Sequence, residues 1–444
     1  MTSNKIERFC GIESYSTSEN RIFGEIKALP EDFIVEEIDL NGQVCRIDGE
    51  DTSIKDDKST KFIEFKVVKK NIDTLEAVRR ISFKIDKIPT YINFAGMKDK
   101  RAVTCQKMTH VKKYKELLKS IKLNNIKIFN VKNIEKPIKL GDLYGNSFTI
   151  TIRNISESLE DIKKLVETKI ETINSRNGIL NYFGLQRFGE VRPITHTCGK
   201  FLLKNDVEGC IRTYLCKGFK DEDKFHQVFR LSLLNDWDLK RARREIPRNL
   251  YYEMQILNAL IKTGDYNKAF MSLPMKLRTL FLHAYQSFLF NKYLSKKSDY
   301  FLENQGLNDK DQVMILNEKG LPTKIVQTVS ASNKNHLLKL KTEGRACLAA
   351  PIIGYETRNI EDVLKDILEE EEIKQEDFKP SKFMNVNPRG IYRPVFFKPE
   401  DFQLIKIEKD GLNENKNQLK ISFTLKKGTY ATVFLREFIK NNKK

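Results

Sequence analysis

Thr60-Lys-Phe-Ile-Glu-Phe-Lys-Val-Val68, followed closely by Asp73-Thr-Leu-Glu-Ala-Val-Arg-Arg-Ile81, is the stretch on which the fold class turns. Ile63, Phe65 and Val67 alternate with polar neighbours, the period of a half-buried strand. The period then changes. Asp73 can cap a helix, Glu76 three residues later suits a capping box, and Leu75, Val78 and Ile81 form an apolar stripe at helical spacing. A strand feeding at once into a helix points to a mixed α/β body. The same alternation recurs at Phe148, Ile150 and Ile152 and at Leu419, Ile421, Phe423 and Leu425, which predicts two more strands. Between Ser158 and Ile173, the spacing of Leu159, Ile162, Val166, Ile170 and Ile173 predicts a helix that Gly178 is placed to stop. From about Phe201 to Tyr293 helical patterns take over. The longest is opened by Pro274 and turns Leu277, Phe281, Ala284, Phe288 and Leu289 toward a core. The arrangement reads as a helical insertion between two parts of an α/β domain, and 444 residues suit two domains. The acidic run Glu369 to Glu372 is expected to be a solvated helix face.

Lysine and arginine number 79 against 60 acidic residues, and the formal charge of +19 favours capture of polyanions, nucleic acid foremost. A lysine-rich surface also serves solubility, so charge alone does not decide the partner. Cysteines at 10, 45, 105, 198, 210, 216 and 347 include no pair at zinc-knuckle or redox spacing, and free thiols are expected. Histidines 110, 196, 226, 283 and 336 never fall one helical turn apart, so no metal is expected. The leading residues, Met1 to Ser16, lack the apolar core of a signal peptide, and no stretch of about 20 apolar residues follows. An intracellular protein without a membrane span is expected.

Four stretches carry candidate chemistry. In Asn93-Phe-Ala-Gly-Met-Lys-Asp-Lys-Arg-Ala-Val-Thr-Cys-Gln106, one carboxylate, Asp99, stands among Lys98, Lys100 and Arg101 behind Gly96, which permits a tight turn. Neighbouring cations favour its anionic form, as nucleophilic or basic chemistry requires. The same cluster on its own is more often a charged surface turn. In Asn181-Tyr-Phe-Gly-Leu-Gln-Arg-Phe-Gly189, aromatic rings and an arginine could stack on an extruded base while Asn181 or Gln186 reads its edge; an aromatic-glycine turn packed into a core is the plainer alternative. His283-Ala-Tyr-Gln-Ser-Phe-Leu-Phe-Asn291 is a buried helix by its periodicity, so Gln286, Ser287 and Asn291 are read as structural hydrogen-bonders. Lys427-Gly-Thr-Tyr-Ala-Thr-Val-Phe-Leu-Arg-Glu437 is a strand, a glycine turn and a helix start, with Arg436 either a phosphate ligand or an ion-pair partner.

Together and in this order, these stretches resemble the TruD family of pseudouridine synthases. Pro30-Glu-Asp-Phe-Ile-Val-Glu-Glu37 is similar to its N-terminal Phe-x-Val-x-Glu signature, and Asn71 with Asp73-Thr74 to its Asn-x-Asp-Thr element. Gly96 to Thr104 follows its Gly-x-Lys-Asp-x-x-Ala-x-Thr box. Gly141-Asp-Leu-Tyr-Gly-Asn146, the 181–189 block without a mismatch and Gly428-Thr-Tyr-Ala-Thr432 extend the likeness over nearly the whole chain. Met97, where threonine is frequent, and Ile352-Ile353 before Gly354-Tyr355, where Leu-Pro is frequent, depart from it.

The resemblance implies an α+β protein, with a mixed or antiparallel-sheet catalytic domain in residues 1–200 and 395–444 and a mostly helical α/β insertion in 201–394. It implies isomerisation of uridine to pseudouridine in a structured RNA, a tRNA at position 13, with no cofactor. Asp99 inherits the indispensable role, as nucleophile or base at the ribose. Lys98 would support its charge, Phe183 would stack on the flipped base and Asn181 would hydrogen-bond. Glu37, Gln186, Arg187 and Arg436 are carried as substrate-binding candidates. The continuation Arg192-Pro-Ile-Thr-His196 and the compact length look archaeal, which favours tRNA in the cytoplasm. A monomer without an obligate protein partner is expected on the same ground. The rival reading is an RNA-binding or tRNA-folding role beside or instead of catalysis. A methyltransferase would need a methyl-donor site, and no such motif is found.

Overall fold

The computed structural model describes residues 3–17, 20–49, 60–85, 92–380 and 387–440. The chain forms two compact units, Thr17–Ser175 with Lys398–Lys444, and Met1–Ser16 with Arg176–Phe397.

The first unit is built on one large sheet. Its main strands are β1 (Phe33–Ile38), β2 (Phe62–Lys70), β3 (Val103–Val111), β4 (Ile126–Ile134), β5 (Gly145–Ile155), β6 (Glu400–Lys409) and β7 (Asn417–Lys426). They lie in the order β6-β7-β5-β1-β3-β2-β4, and every pairing along this path is antiparallel except that of β1 with β3. That parallel pair needs a long connection, which β2 and the helix α1 (Thr74–Ile85) supply. It also brings the strand that carries Glu37 beside the strand that follows the Asp99 turn, with Glu36 opposite Cys105. α1 closes one face: Ala77, Val78 and Ile81 pack with Ile63, Phe65 and Val67 of β2 and Met108 of β3. At roughly 1.5–3 kcal/mol for each large apolar side chain removed from water, this cluster holds the layers together.

The first turn of α1 is capped as expected, with the Glu76 amide donating to Asp73 Oδ1 at 2.9 Å. Glu76 itself turns instead to Arg79 and Arg80. Leu75 does not join the stripe; it is 53% exposed, because the buried face starts from Thr74 and runs through Ala77, Val78 and Ile81. The predicted helix is α2 (Leu159–Ser175), and the strands foreseen at Phe148–Ile152 and Leu419–Leu425 are β5 and β7, paired with Phe148 opposite Phe423.

The second unit is mostly helical. α3 (Thr195–Leu203) lies against α7 (Met275–Lys296), with α4 (Val207–Cys216), α5 (Lys224–Asp236) and α6 (Tyr251–Thr263) between them in sequence. The approach of α3 to α7 is so close that a Cβ on Gly199 would meet the Phe281 carbonyl oxygen at 2.1 Å. From Phe281 onward α7 is buried on nearly every side, more than one apolar stripe predicts. An antiparallel sheet completes the unit in the order Pro322–Thr328, Gln312–Leu316, Ala346–Ile352, Ile391–Pro394.

The compact units break the chain at places other than 200/201 and 394/395. Residues 176–200 belong to the helical unit because Ile179–Leu180 pairs with Phe396–Phe397 and α3 packs on α7. The N-terminal residues join it because the Asn291 amide and the Ser295 hydroxyl of α7 donate to the carbonyls of Cys10 and Gly11. In the acidic run Glu369, Glu370 and Glu372 are exposed, as a solvated face requires, with Glu370 beside Lys292 and Lys296 and Glu372 beside Lys204, while Glu371 is half-buried against Lys200 and Lys292. Among the described residues no helix is long and apolar enough to cross a membrane.

Candidate active site

Asp99 sits in the turn between the short strand Asn93–Phe94 and β3. Its side chain is 32% exposed and Oδ1 receives Lys27 Nζ at 3.1 Å, a partner no motif spacing announced. Lys27 is itself constrained. Its φ of +60° is a conformation that residues with a side chain rarely adopt. Its carbonyl accepts a bond from Arg101 Nη2 at 2.8 Å, and its ammonium lies 4.2 Å above the Phe33 ring. Lys98 turns the other way. Its Nζ lies 2.5 Å from Glu37 Oε2, and both side chains are only 3% exposed. Glu37 Oε1 also accepts the Lys107 amide at 3.2 Å. Two expected site residues are therefore brought together as a buried ion pair, while Lys27 takes the cationic place beside Asp99.

The turn is fastened from below. The Lys98 amide donates to Thr74 Oγ1 at 2.9 Å, that hydroxyl donates to Gln106 Oε1 at 3.0 Å, and Gln106 Nε2 donates to the Gly96 carbonyl at 3.0 Å. Lys69, at the end of β2, reaches the carbonyl oxygens of Ile72 at 2.6 Å, Asp99 at 2.8 Å and Lys98 at 3.4 Å. One signal could have found it. Alternation along β2 places Ile63, Phe65 and Val67 on the inner face, and Lys69 is the next residue in that series. Gly96, by contrast, is less constrained than expected: a Cβ there would meet Lys98 Nζ at 3.6 Å and Leu143 Cδ1 at 3.8 Å, ordinary contacts.

The second group belongs to the helical unit and follows the strand Ile179–Leu180. The Asn181 amide nitrogen of the backbone donates to the Val395 carbonyl at 2.7 Å and Nδ2 to the Pro394 carbonyl at 3.1 Å. Arg393 donates from Nη2 to Asn181 Oδ1 at 2.7 Å and from Nε to its carbonyl at 3.1 Å. The same guanidinium lies 4.0 Å over the Phe183 ring, which is 7% exposed and edge-on to Phe290. Arg393 was not foreseen, since it lies 212 residues from Asn181 and no spacing connects them. Asn291 pins the backbone of Phe183, accepting from its amide at 2.8 Å and donating to its carbonyl at 3.0 Å. Ser287 accepts Arg187 Nε at 3.1 Å, and Gln286 donates to the Ile353 carbonyl at 2.6 Å. The structural reading of Gln286, Ser287 and Asn291 thus describes what they do. Gln186 and Arg187 are half-buried, and Gly189, with φ +105°, ends the turn where a Cβ would strike the Arg192 carbonyl oxygen at 2.4 Å. Arg436 is buried with Nη1 3.6 Å from Glu437 Oε1, the geometry of an internal ion pair.

A part-exposed carboxylate on a multiply anchored turn, with a lysine on one oxygen, can attack an electrophilic carbon or take a proton without first rearranging its support. The Phe183 ring, held by a guanidinium and a second ring beside a clamped amide, is fixed in place with only a small part of its surface open.

Comparison with known proteins places these features in context. The family model described as tRNA pseudouridine synthase D (TruD) matches residues 9–438. A relative from Methanosarcina barkeri is 32% identical over 98% of this chain and 98% of its own, and one from Archaeoglobus fulgidus is 35% identical over 98% and 99%; both bear the name tRNA pseudouridine synthase D. A crystal structure from Methanosarcina mazei, titled with the same name, superposes with a TM-score of 0.80 at 30% identity, covering 99% of each chain.

Proposed function

The chain belongs to the tRNA pseudouridine synthase D family, and from that premise we propose that it isomerises uridine to pseudouridine in tRNA, at position 13, with Asp99 as the essential carboxylate. The observation that carries the reading is the Asp99 turn itself, part-exposed, paired with Lys27 and anchored through Lys98, Thr74, Gln106 and Lys69.

In the proposed reaction the bond from C1′ to N1 breaks, the uracil turns, C5 bonds to C1′ and gives up its proton, and N1 takes one up. Atoms and electrons balance without a donor, so this chain's residues need only bind, orient and move a proton. Asp99 acts at the ribose as nucleophile or base, and Lys27 holds one of its oxygens so that the other is presented. The target base is extruded from the RNA, with a few kcal/mol of unstacking offset by contacts with the protein. Phe183 provides the stacking surface, Arg393 backs it, and Asn181 is oriented by the same arginine. Lys98 and Glu37 stand beneath the Asp99 turn as a buried pair, and in the helical unit Gln186 and Arg187, in the turn after Phe183, are the substrate-binding candidates. Arg436 belongs to the internal support.

Asp99→Asn is the decisive variant, because it keeps the shape of the side chain and removes the charge. It is expected to lower pseudouridine formation on unmodified tRNA transcripts by at least about a thousandfold, the scale of losing an essential nucleophile or base. Substantial product from this variant would mean that the carboxylate has been misassigned. Pseudouridine mapping across total RNA, with and without the protein, tests the position.

A further inference from the structure

We propose that Lys69 is a positioning residue for the reaction at Asp99: its buried ammonium, closed on the carbonyl oxygens of Ile72, Lys98 and Asp99, fixes the catalytic turn against the end of β2 and places a positive charge behind it. This deepens the function proposed above and rests on it.

The neighbouring residue shows what a lysine ordinarily does there. Lys70 is half exposed and pairs with Glu31 at the surface, which solubility and a surface ion pair account for. Lys69 is fully buried. An ammonium carries three N–H donors, and the bonds to Ile72, Asp99 and Lys98 employ all three on main-chain oxygens. These oxygens come from two separate turns, one leading into α1 and one carrying Asp99, so the side chain ties together segments about 30 residues apart. Neutral donors could make a purely mechanical tie. A buried cation carries a large desolvation cost, offset here by hydrogen bonds to main-chain carbonyls and by the attraction of nearby Asp99 and Asp73.

The charges that face it are Asp73 from the turn into α1 and Lys98 and Asp99 from the catalytic turn. The residues beside it in register, Thr104 on β3 and Ile126 on β4, are uncharged. Burial pulls its proton affinity down to about 8, with Asp99 and Asp73 opposing that pull and Lys98 adding to it. The ammonium is therefore present at neutral pH and lost shortly above it. An arginine at the same place would stay charged throughout.

The test uses the full chain with unmodified tRNA transcript, measuring the single-turnover rate at saturating enzyme and the tRNA Kd from pH 6.5 to 9.5. Lys69→Met is expected to lower the saturated rate by about 30-fold or more, the scale of a misplaced catalytic group, with Kd changed by less than about threefold. The wild-type rate should fall above about pH 8, Lys69→Met should lack that limb, and Lys69→Arg should move it upward by about a pH unit or more. A saturated rate for Lys69→Met within about threefold of wild type, or an alkaline limb that stays in place in both variants, would overturn the proposal. If Lys69→Met shows no cooperative melt, the pH profile of Lys69→Arg decides alone. Wild-type protein that makes no pseudouridine would instead sink the proposed function. Active wild type and inactive Asp99→Asn beside an unimpaired Lys69→Met would sink only the role of Lys69.

Discussion

Phe183 combines two demands on one ring. Arg393 covers it at 4.0 Å and Phe290 meets it edge-on, so that, at 7% exposed, nearly all of its surface already belongs to the protein. Stacking of a nucleobase on what remains should contribute about 1–3 kcal/mol, or about 5- to 150-fold in rate if it is realised in the transition state. Phe183→Ala is accordingly expected to lower turnover more than it weakens tRNA binding. Equal losses in both would argue against stacking in the pocket. A cavity left at so buried a site also costs about 3–5 kcal/mol of stability, so the melt must be recorded beside the kinetics. The residue scale is also where the sequence was least informative. Asp99, Glu37 and Lys98 could be singled out because they stand in blocks that resemble a family's motifs, whereas the three cations around Asp99 on their own suit a surface turn. Lys27 and Arg393 have no such marking; each becomes meaningful only when folding sets it against a partner 72 or 212 residues away.

Helices α3 and α7 illustrate how a packed element imposes chemistry on a residue it encloses. His196 of α3 is stacked at 4.9 Å on Phe288 of α7 and meets Phe9 and Phe188 edge-on. Burial among these rings pulls its proton affinity down to about 4. In the unfolded chain it returns to about 6.5. Between those values the unfolded state binds the extra proton, so stability is full above about pH 6.5, falls as the pH drops, and levels off below about 4. The loss amounts to about 3 kcal/mol. Urea unfolding from pH 7 to pH 4 should show this slope, and His196→Leu should flatten it. An unchanged slope in the variant would assign the acid sensitivity to other groups. Elements were otherwise well foreshadowed, because strand alternation and helical spacing depend only on near neighbours. The misplacement of Leu75 came from choosing the wrong one of two adjacent residues to start the α1 stripe. The solvated face expected at Glu369 to Glu372 holds except at Glu371, which Lys200 and Lys292 reach from other helices.

At the scale of the whole molecule, a net charge of +19 makes RNA binding an electrostatic event to first order. Each phosphate neutralised releases counterions, so the logarithm of the tRNA association constant should fall linearly with that of the salt concentration. With 6–10 phosphate contacts the loss between 50 and 200 mM salt would be roughly 10³–10⁵ in affinity. A flat response would remove charge as the main source of binding. The same experiment with Asp99→Asn should give the same slope, since one carboxylate does not alter how many phosphates are met.

By itself the sequence determined the strand and helix periods and, through the blocks it shares with its family, the α+β class, and it marked Asp99 as the proposed carboxylate. All of these depend on neighbours in the chain or on short blocks of residue types. Only the tertiary structure decided where the chain divides, that Lys98 serves Glu37 while Lys27 serves Asp99, and that Arg393 holds both Asn181 and Phe183. The reason is geometric. A hydrogen bond is made within about 3 Å, whatever the separation along the chain, and local patterns carry no record of which distant residue will arrive there.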